Sequence, residues 1–173
     1  MVNNFSENAK KFKAINEMAV KNEIAVFGSD YLFNFPFYDY TQGRVSDYAI
    51  YNRSMKNLNV ATAAEIVGDC LKHLCPKAVL FSFGENEVID NAFVKNYEKL
   101  LLNVRKMYKN ANFFILQTVP DKNADEKIKA VADKFGAEFV SLYQEAENTN
   151  QLFLRLSGLF RNGKISFADA FSI

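Results

Sequence analysis

Glu23-Ile-Ala-Val-Phe-Gly-Ser-Asp30 is the stretch whose reading decides the fold. A charged residue leads into four apolar ones, and a glycine then opens into two small polar residues. This is the pattern of a buried parallel strand that delivers a functional turn at its C-terminal end. Lys77-Ala-Val-Leu-Phe-Ser-Phe-Gly-Glu-Asn-Glu87 is built the same way. In an open α/β sheet, strands of this kind bring their polar ends together in the crevice where ligands bind.

Working outward, residues 6–21 read as an amphipathic helix capped by Ser6, with Ala9, Phe12 and Ile15 near helical spacing and lysines on the wet face. Residues 47–52 predict a short second strand that ends in the polar turn Asn52-Arg-Ser-Met-Lys-Asn57. Residues 61–74 predict a helix capped by Asn59 or Thr62 and stopped by Pro76. Strands over 78–83, 112–119 and 138–142 alternate with helices over 88–109 and 125–135, the last ending at Gly136. Beyond Tyr143 the pattern loosens around a polar tract and the apolar Leu152-Phe-Leu-Arg-Leu156. The alternation predicts an α/β protein with a five-stranded, mostly parallel sheet and right-handed crossovers. One domain over residues 1–173 is expected, with the helix of residues 1–22 packed on it. Tyr31-Leu-Phe-Asn-Phe-Pro-Phe-Tyr-Asp-Tyr40 is unusually aromatic for a connection. It fits either the wall of a pocket beside strand one or a cover over one edge of the core.

Composition narrows the function classes. A net charge of +1, from 21 basic and 20 acidic residues, gives no electrostatic footprint for nucleic acid. No apolar run approaches the length of a membrane helix, and residues 1–8 lack the features of a signal peptide, so a cytoplasmic protein is expected. Cys70 and Cys75 are expected as buried free thiols in a reducing compartment, away from any base and without metal-ligand spacing, so neither a metal nor a cofactor is expected.

Polar residues collect at the ends of the first three strands. They are Gly28-Ser29-Asp30, Asn52-Arg53-Ser54 and Gly84-Glu85-Asn86-Glu87, with Leu116-Gln-Thr-Val-Pro120 closing strand four. In this layout residues 23–143 resemble the SGNH hydrolases, the GDSL-type esterases and lipases. That resemblance implies a flavodoxin-like three-layer α/β/α sandwich. It implies a catalytic site at Ser29 and Asp30, with the family's serine and aspartate in swapped order. It places Gly28, Ser54, Gly84 and Asn86 at the oxyanion pocket, Asn86 donating from its side chain, and the ligand would be an acyl ester or an acetylated sugar. The family's final Asp-x-x-His element is not matched: no histidine follows His73, and the nearest echo is Asp169-Ala-Phe-Ser172.

A serine hydroxyl is a weak nucleophile until an adjacent base takes its proton. His73 is expected near the C-terminal end of the 61–74 helix, at the opposite edge of the sheet from Ser29. Asp30 as an attacking carboxylate, or Asp30, Glu85 or Glu87 as a general base, would be the remaining routes to hydrolysis. Plain structural roles are also open: Ser29 and Asp30 as helix caps, Asn86 as a turn residue, Glu85 and Glu87 at a helix start. The leading expectation is an esterase-like protein that keeps the pocket and has lost the Ser–His machinery. An active esterase whose base comes from outside this chain is the alternative. A flavodoxin-like binding module for a phosphate-bearing ligand is a further one, disfavoured by Asp30 and the bulky residues after it. Exposure of the 31–40 aromatics would mark a face for a partner protein or a second copy.

Overall fold

The computed structural model describes residues 4–41, 48–142 and 149–162. In chain order the elements are α1 (Phe5–Ile15), β1 (Ile24–Gly28), α2 (Asp30–Asn34), α3 (Phe37–Thr41), β2 (Ile50–Asn52), α4 (Val60–Leu71), β3 (Ala78–Ser82), α5 (Asn91–Met107), β4 (Asn112–Gln117), α6 (Lys122–Phe135), β5 (Glu138–Ser141) and α7 (Thr149–Asn162). A short 3₁₀ turn, Asn16–Met18, ends the first helix.

The five strands form one sheet in the order β2-β1-β3-β4-β5, and every pair is parallel. The expected five-stranded, mostly parallel sheet is thus parallel throughout its described strands. This is the flavodoxin-like order, and the chain changes direction across the sheet between β1 and β3, where ligand crevices form.

Side-chain alternation splits the core in two. Ala25, Phe27, Val79, Phe81, Phe113 and Ile115 face the layer of α1, α4, α5 and α6. Ile24, Val26, Leu80, Phe114 and Leu116 face the other layer, with Leu32, Phe37, Leu152, Phe153 and Leu156 from α2, α3 and α7 and Phe35 from the joint between α2 and α3. The result is a three-layer α/β/α sandwich. Among the described residues no helix is long and apolar enough to cross a membrane.

Several boundaries depart from the sequence reading for identifiable reasons. Asn4, rather than Ser6, caps α1 by accepting from the Glu7 N–H. Asp121 caps α6 with bonds to Asn123 and Ala124, so that helix begins before the expected residue 125. α4 stops at Leu71, which leaves His73 in a left-handed conformation (φ 71°) outside the helix. Cys70 is buried, as expected, and burial pushes its thiol up to about 12, but Cys75 is exposed. α7 was not legible in the sequence, although Leu152, Phe153 and Leu156 make its buried stripe. Asp169–Ser172 lies outside the described residues.

The first helix is tied down by one buried polar group. Asn16, fully buried, donates to the Cys70 and Lys72 carbonyls at 2.9 and 3.0 Å and accepts from Arg53 Nε at 2.8 Å. The Arg53 guanidinium also lies 5.1 Å from the Phe12 ring centroid and 5.5 Å from that of Tyr51.

At the end of β1 the backbone comes close to β3. A Cβ on Gly28 would fall 2.5 Å from the Ser82 carbonyl oxygen and 2.8 Å from Leu32 Cδ1. Gly28→Ala is therefore expected to destabilise the fold by about 2–3 kcal/mol, because the clash is with strand backbone. Urea denaturation checks it, and an unchanged midpoint would contradict the close approach.

Candidate functional site

The turns after β1, β2 and β3 meet at one carboxylate. Asp30 opens α2, immediately after the buried Ser29. Its Oδ2 accepts from Asn86 Nδ2 at 2.5 Å, from the Asn57 N–H at 2.9 Å and from the Ser29 hydroxyl at 3.2 Å. Asn57 reaches it from a left-handed backbone conformation (φ 57°), which asparagine tolerates better than most residues.

The turn after β2 is organised by Asn52. Its Nδ2 donates to the Leu32 carbonyl at 2.8 Å, and its Oδ1 accepts from the Ser54 N–H at 3.0 Å. The ladder with β1 continues past the strand, through Arg53 N–H to Val26 O at 2.7 Å and Met55 N–H to Gly28 O at 3.1 Å. Ser54 Oγ is buried and has no hydrogen-bond partner among the described residues.

After β3 the chain turns at Gly84, whose φ of +119° is one that side chains resist. Glu85 Oε1 accepts from Ser82 Oγ at 3.2 Å and Thr118 Oγ1 at 3.3 Å, so it bridges the ends of β3 and β4. Glu85 Oε2 is buried and has no partner among the described residues. Glu87 Oε1 accepts from the Val60 N–H at 2.9 Å, a side-chain cap on α4 supplied from another turn. Burial raises the Glu87 carboxyl above its ordinary range, opposed by that hydrogen bond and reinforced by Glu85. Tyr97 of α5 is fully buried, its hydroxyl has no hydrogen-bond partner among the described residues, and burial, then Glu85 and Glu87, push its ionisation upward.

Beside Asp30 opens a pocket of about 340 Å³ lined by Asp30, Tyr31, Asn34, Phe35, Pro36 and Glu85. Both roles expected of the aromatic segment are realised. Tyr31, Phe35 and Pro36 wall the pocket, while Leu32, Phe35 and Phe37 are buried in the core. Phe33 and Tyr38 remain exposed.

The predicted site residues thus divide. Ser29, Asp30 and Asn86 are brought together, with Asn86 bonded across 56 positions of sequence rather than within its own turn. Gly28, Gly84 and Ser54 shape the surrounding turns. Ser29 stands at the N-cap position of α2 without a side-chain capping bond. Glu85 and Glu87 are not a helix start, because Asp90 caps α5 with bonds to Ala92 and Phe93. His73 is not near Ser29. It precedes the N-terminal end of β3, with Nε2 4.0 Å from Glu17 and its carbonyl accepting from Lys21 Nζ. The backbone donor of Asn57 and the buried Tyr97 were not singled out from sequence. The positive-φ asparagine closing a polar turn was the available signal for the first.

Ser29 Oγ therefore has a carboxylate rather than an imidazole beside it, and a carboxylate is the weaker base. The two donors that the resemblance assigns to an oxyanion are both committed within the protein, Asn86 to Asp30 and the Ser54 N–H to Asn52. Among the described residues, no group of His, Cys, Asp or Glu side chains is arranged to hold a metal.

No family model matches the sequence, and no curated protein is significantly similar to it. Solved structures are similar. A protein from Streptococcus pneumonia, provisionally named a platelet activating factor, superposes with a TM-score of 0.71 at 15% identity, over 82% of this chain and 76% of that one. A two-domain esterase active on acetylated mannans gives 0.60 at 13% identity, and 0.61 at 14% when crystallised with mannopentaose. Both superpositions cover 94% of this chain, which spans just under half of the esterase (45% and 48%). At these identities the likeness establishes the fold alone. It is the three-layer SGNH-type sandwich.

The raised Glu87 sets a pH signature. A carboxyl whose folded-state pKa exceeds its unfolded one favours folding below the unfolded value, and loses that contribution as pH rises through the folded value. Glu87→Gln, which keeps an acceptor for the Val60 N–H, is expected to gain stability relative to the wild type as pH rises from the ordinary carboxylate range towards neutrality. Chemical denaturation across that range checks it. A variant deficit that does not change with pH would contradict the burial of this carboxyl.

Proposed function

We propose that this chain is a catalytically impaired relative of acyl-ester or carbohydrate-acetyl esterases, which keeps the pocket beside Asp30 as a binding site for a small acyl or acetylated-sugar ligand. The observation that carries this reading is the convergence of Asn86, Asn57 and Ser29 on Asp30 Oδ2. Ester hydrolysis depends on donors that meet negative charge as it develops in the transition state. Here a permanent negative charge already engages them, and an incoming carbonyl oxygen would have to displace it. The likeness to an esterase active on acetylated mannans supports the ligand class, and the aromatic wall of Tyr31 and Phe35 suits the apolar face of a sugar ring or an acyl chain.

Hydrolysis of an activated acetyl ester tests the reading. The wild-type chain, Ser29→Ala and Asp30→Ala are expected to match one another and a heat-denatured blank. Enzymatic rates typically exceed the uncatalysed reaction by about a millionfold or more. Turnover lost in either variant would show a working nucleophile and establish the alternative, an active esterase with a non-standard base.

A further inference from the structure

We infer, on the reading of this pocket as a binding site, that its ligand is a neutral pyranose and that Asp30 selects it by accepting a hydrogen bond from a ring hydroxyl. The acetylated sugar is thereby separated from an acyl ester that has no hydroxyl. The two oxygens of Asp30 are in different states. Oδ2 takes three donors, from Asn86, Asn57 and Ser29, which hold the carboxylate in one orientation. Among the described residues none donates to Oδ1. That oxygen is open to solvent, whereas the unpartnered Glu85 Oε2 is sealed. The half-buried Asp30 also lines the cavity of about 340 Å³.

A carboxylate offers only lone pairs, so the group that meets Oδ1 has to be a donor. Asn34 adds to this polarity. Its Nδ2 donates to the Asp30 carbonyl at 2.8 Å, which leaves its Oδ1 as a second unengaged acceptor in the lining. Glu85 belongs to the wall, because its Oε1 is taken by Ser82 and Thr118 and its Oε2 is sealed. A simple acyl ester carries acceptor oxygens and no donor, and cannot complete either bond. A sugar hydroxyl can. A sugar acid would set like charge against Asp30, which selects for a neutral ring.

The apolar side of the cavity fits the same ligand. The rings of Tyr31 and Phe35 have centroids 6.1 Å apart and are inclined by 41°. Phe35 is buried against Phe37, centroids 4.5 Å apart, so this wall is set before any ligand arrives. Pro36 extends it. A pyranose has a C–H face for such a wall and hydroxyls around its edge for fixed acceptors. Apolar walls with a few placed polar groups are the usual build of a small-ligand site, and this volume lies at the small end of the range.

The test is calorimetric titration of the full chain with the methyl glycosides of N-acetylglucosamine, N-acetylgalactosamine and N-acetylmannosamine, and with ethyl butyrate as an ester without hydroxyls. At least one glycoside is expected to bind about tenfold or more tighter than the ester. Replacing its hydroxyls one at a time by fluorine, which cannot donate, should cost about tenfold or more at one ring position, as a hydrogen bond to a charged acceptor requires. Asp30→Asn can satisfy the three donors with its carbonyl oxygen and then presents an amide N–H to the pocket. In that variant, its fold checked by thermal melting, the fluorine penalty should vanish. The wild-type fluorine series alone decides the matter should the variant misfold. Equal or tighter binding of the ester, or a series without a sensitive position, would overturn the inference. So would absence of binding by all three glycosides. Failure of the underlying reading is separately visible, as Ser29- or Asp30-dependent ester hydrolysis.

Discussion

The site depends on a single carboxylate oxygen. Asp30 Oδ2 accepts from groups carried by the turns after β1, β2 and β3, three neighbouring strands that share no other common side-chain partner at that end of the described sheet. Those turns follow short strands, and β2 has only three residues. The other side-chain ties of these turns run elsewhere, from Asn52 to Leu32, Glu85 to Thr118 and Glu87 to Val60. A negative charge at the opening of α2 is well placed for the role, since free N–H groups there also favour an anion. The geometry beneath is equally restrictive: Gly28 lets β1 approach β3, so that Ser29 can continue the ladder to Ser82 at 3.0 Å.

The proposed loss of activity rests on the same interaction. In an esterase of this fold the equivalent donors must be free to meet an oxyanion as it forms, and a base must stand beside the hydroxyl. Here Asn86 faces a resident carboxylate, the Ser54 N–H faces Asn52, and His73 lies at the opposite end of the sheet. Beside these groups lies the concavity walled by Tyr31, Phe35 and Pro36, with Asp30 and Glu85 at its edge.

Much of this was legible in the sequence. The runs Ile24–Gly28 and Ala78–Ser82 are apolar throughout because both faces of those strands are buried, and their polar exits marked the switch point of the sheet. The swapped Ser29-Asp30 pair and the absence of a histidine after His73 were likewise plain in the sequence. Periodicity could not reveal which partners the turn residues choose. Asn86 reads as a local turn former, and only the parallel register of β1 with β3 brings it against Asp30. Glu87 reads as a helix-start acid, yet it caps α4 from a turn 27 positions away in sequence. α7 was obscured because its buried stripe is short, with Leu154 exposed between Phe153 and Leu156 and a polar tract just before it.

The most direct test of the account is a double-mutant cycle between Asp30 and Asn86, using Asp30→Ala, Asn86→Ala and the double variant in urea denaturation. The bond joins partly exposed groups, so a coupling of about 1 kcal/mol is predicted, with the single substitutions costing more in sum than the double. Additivity within about 0.3 kcal/mol would mean that Asn86 is not committed to Asp30. Its amide would then be free to stabilise an oxyanion, contradicting the central claim.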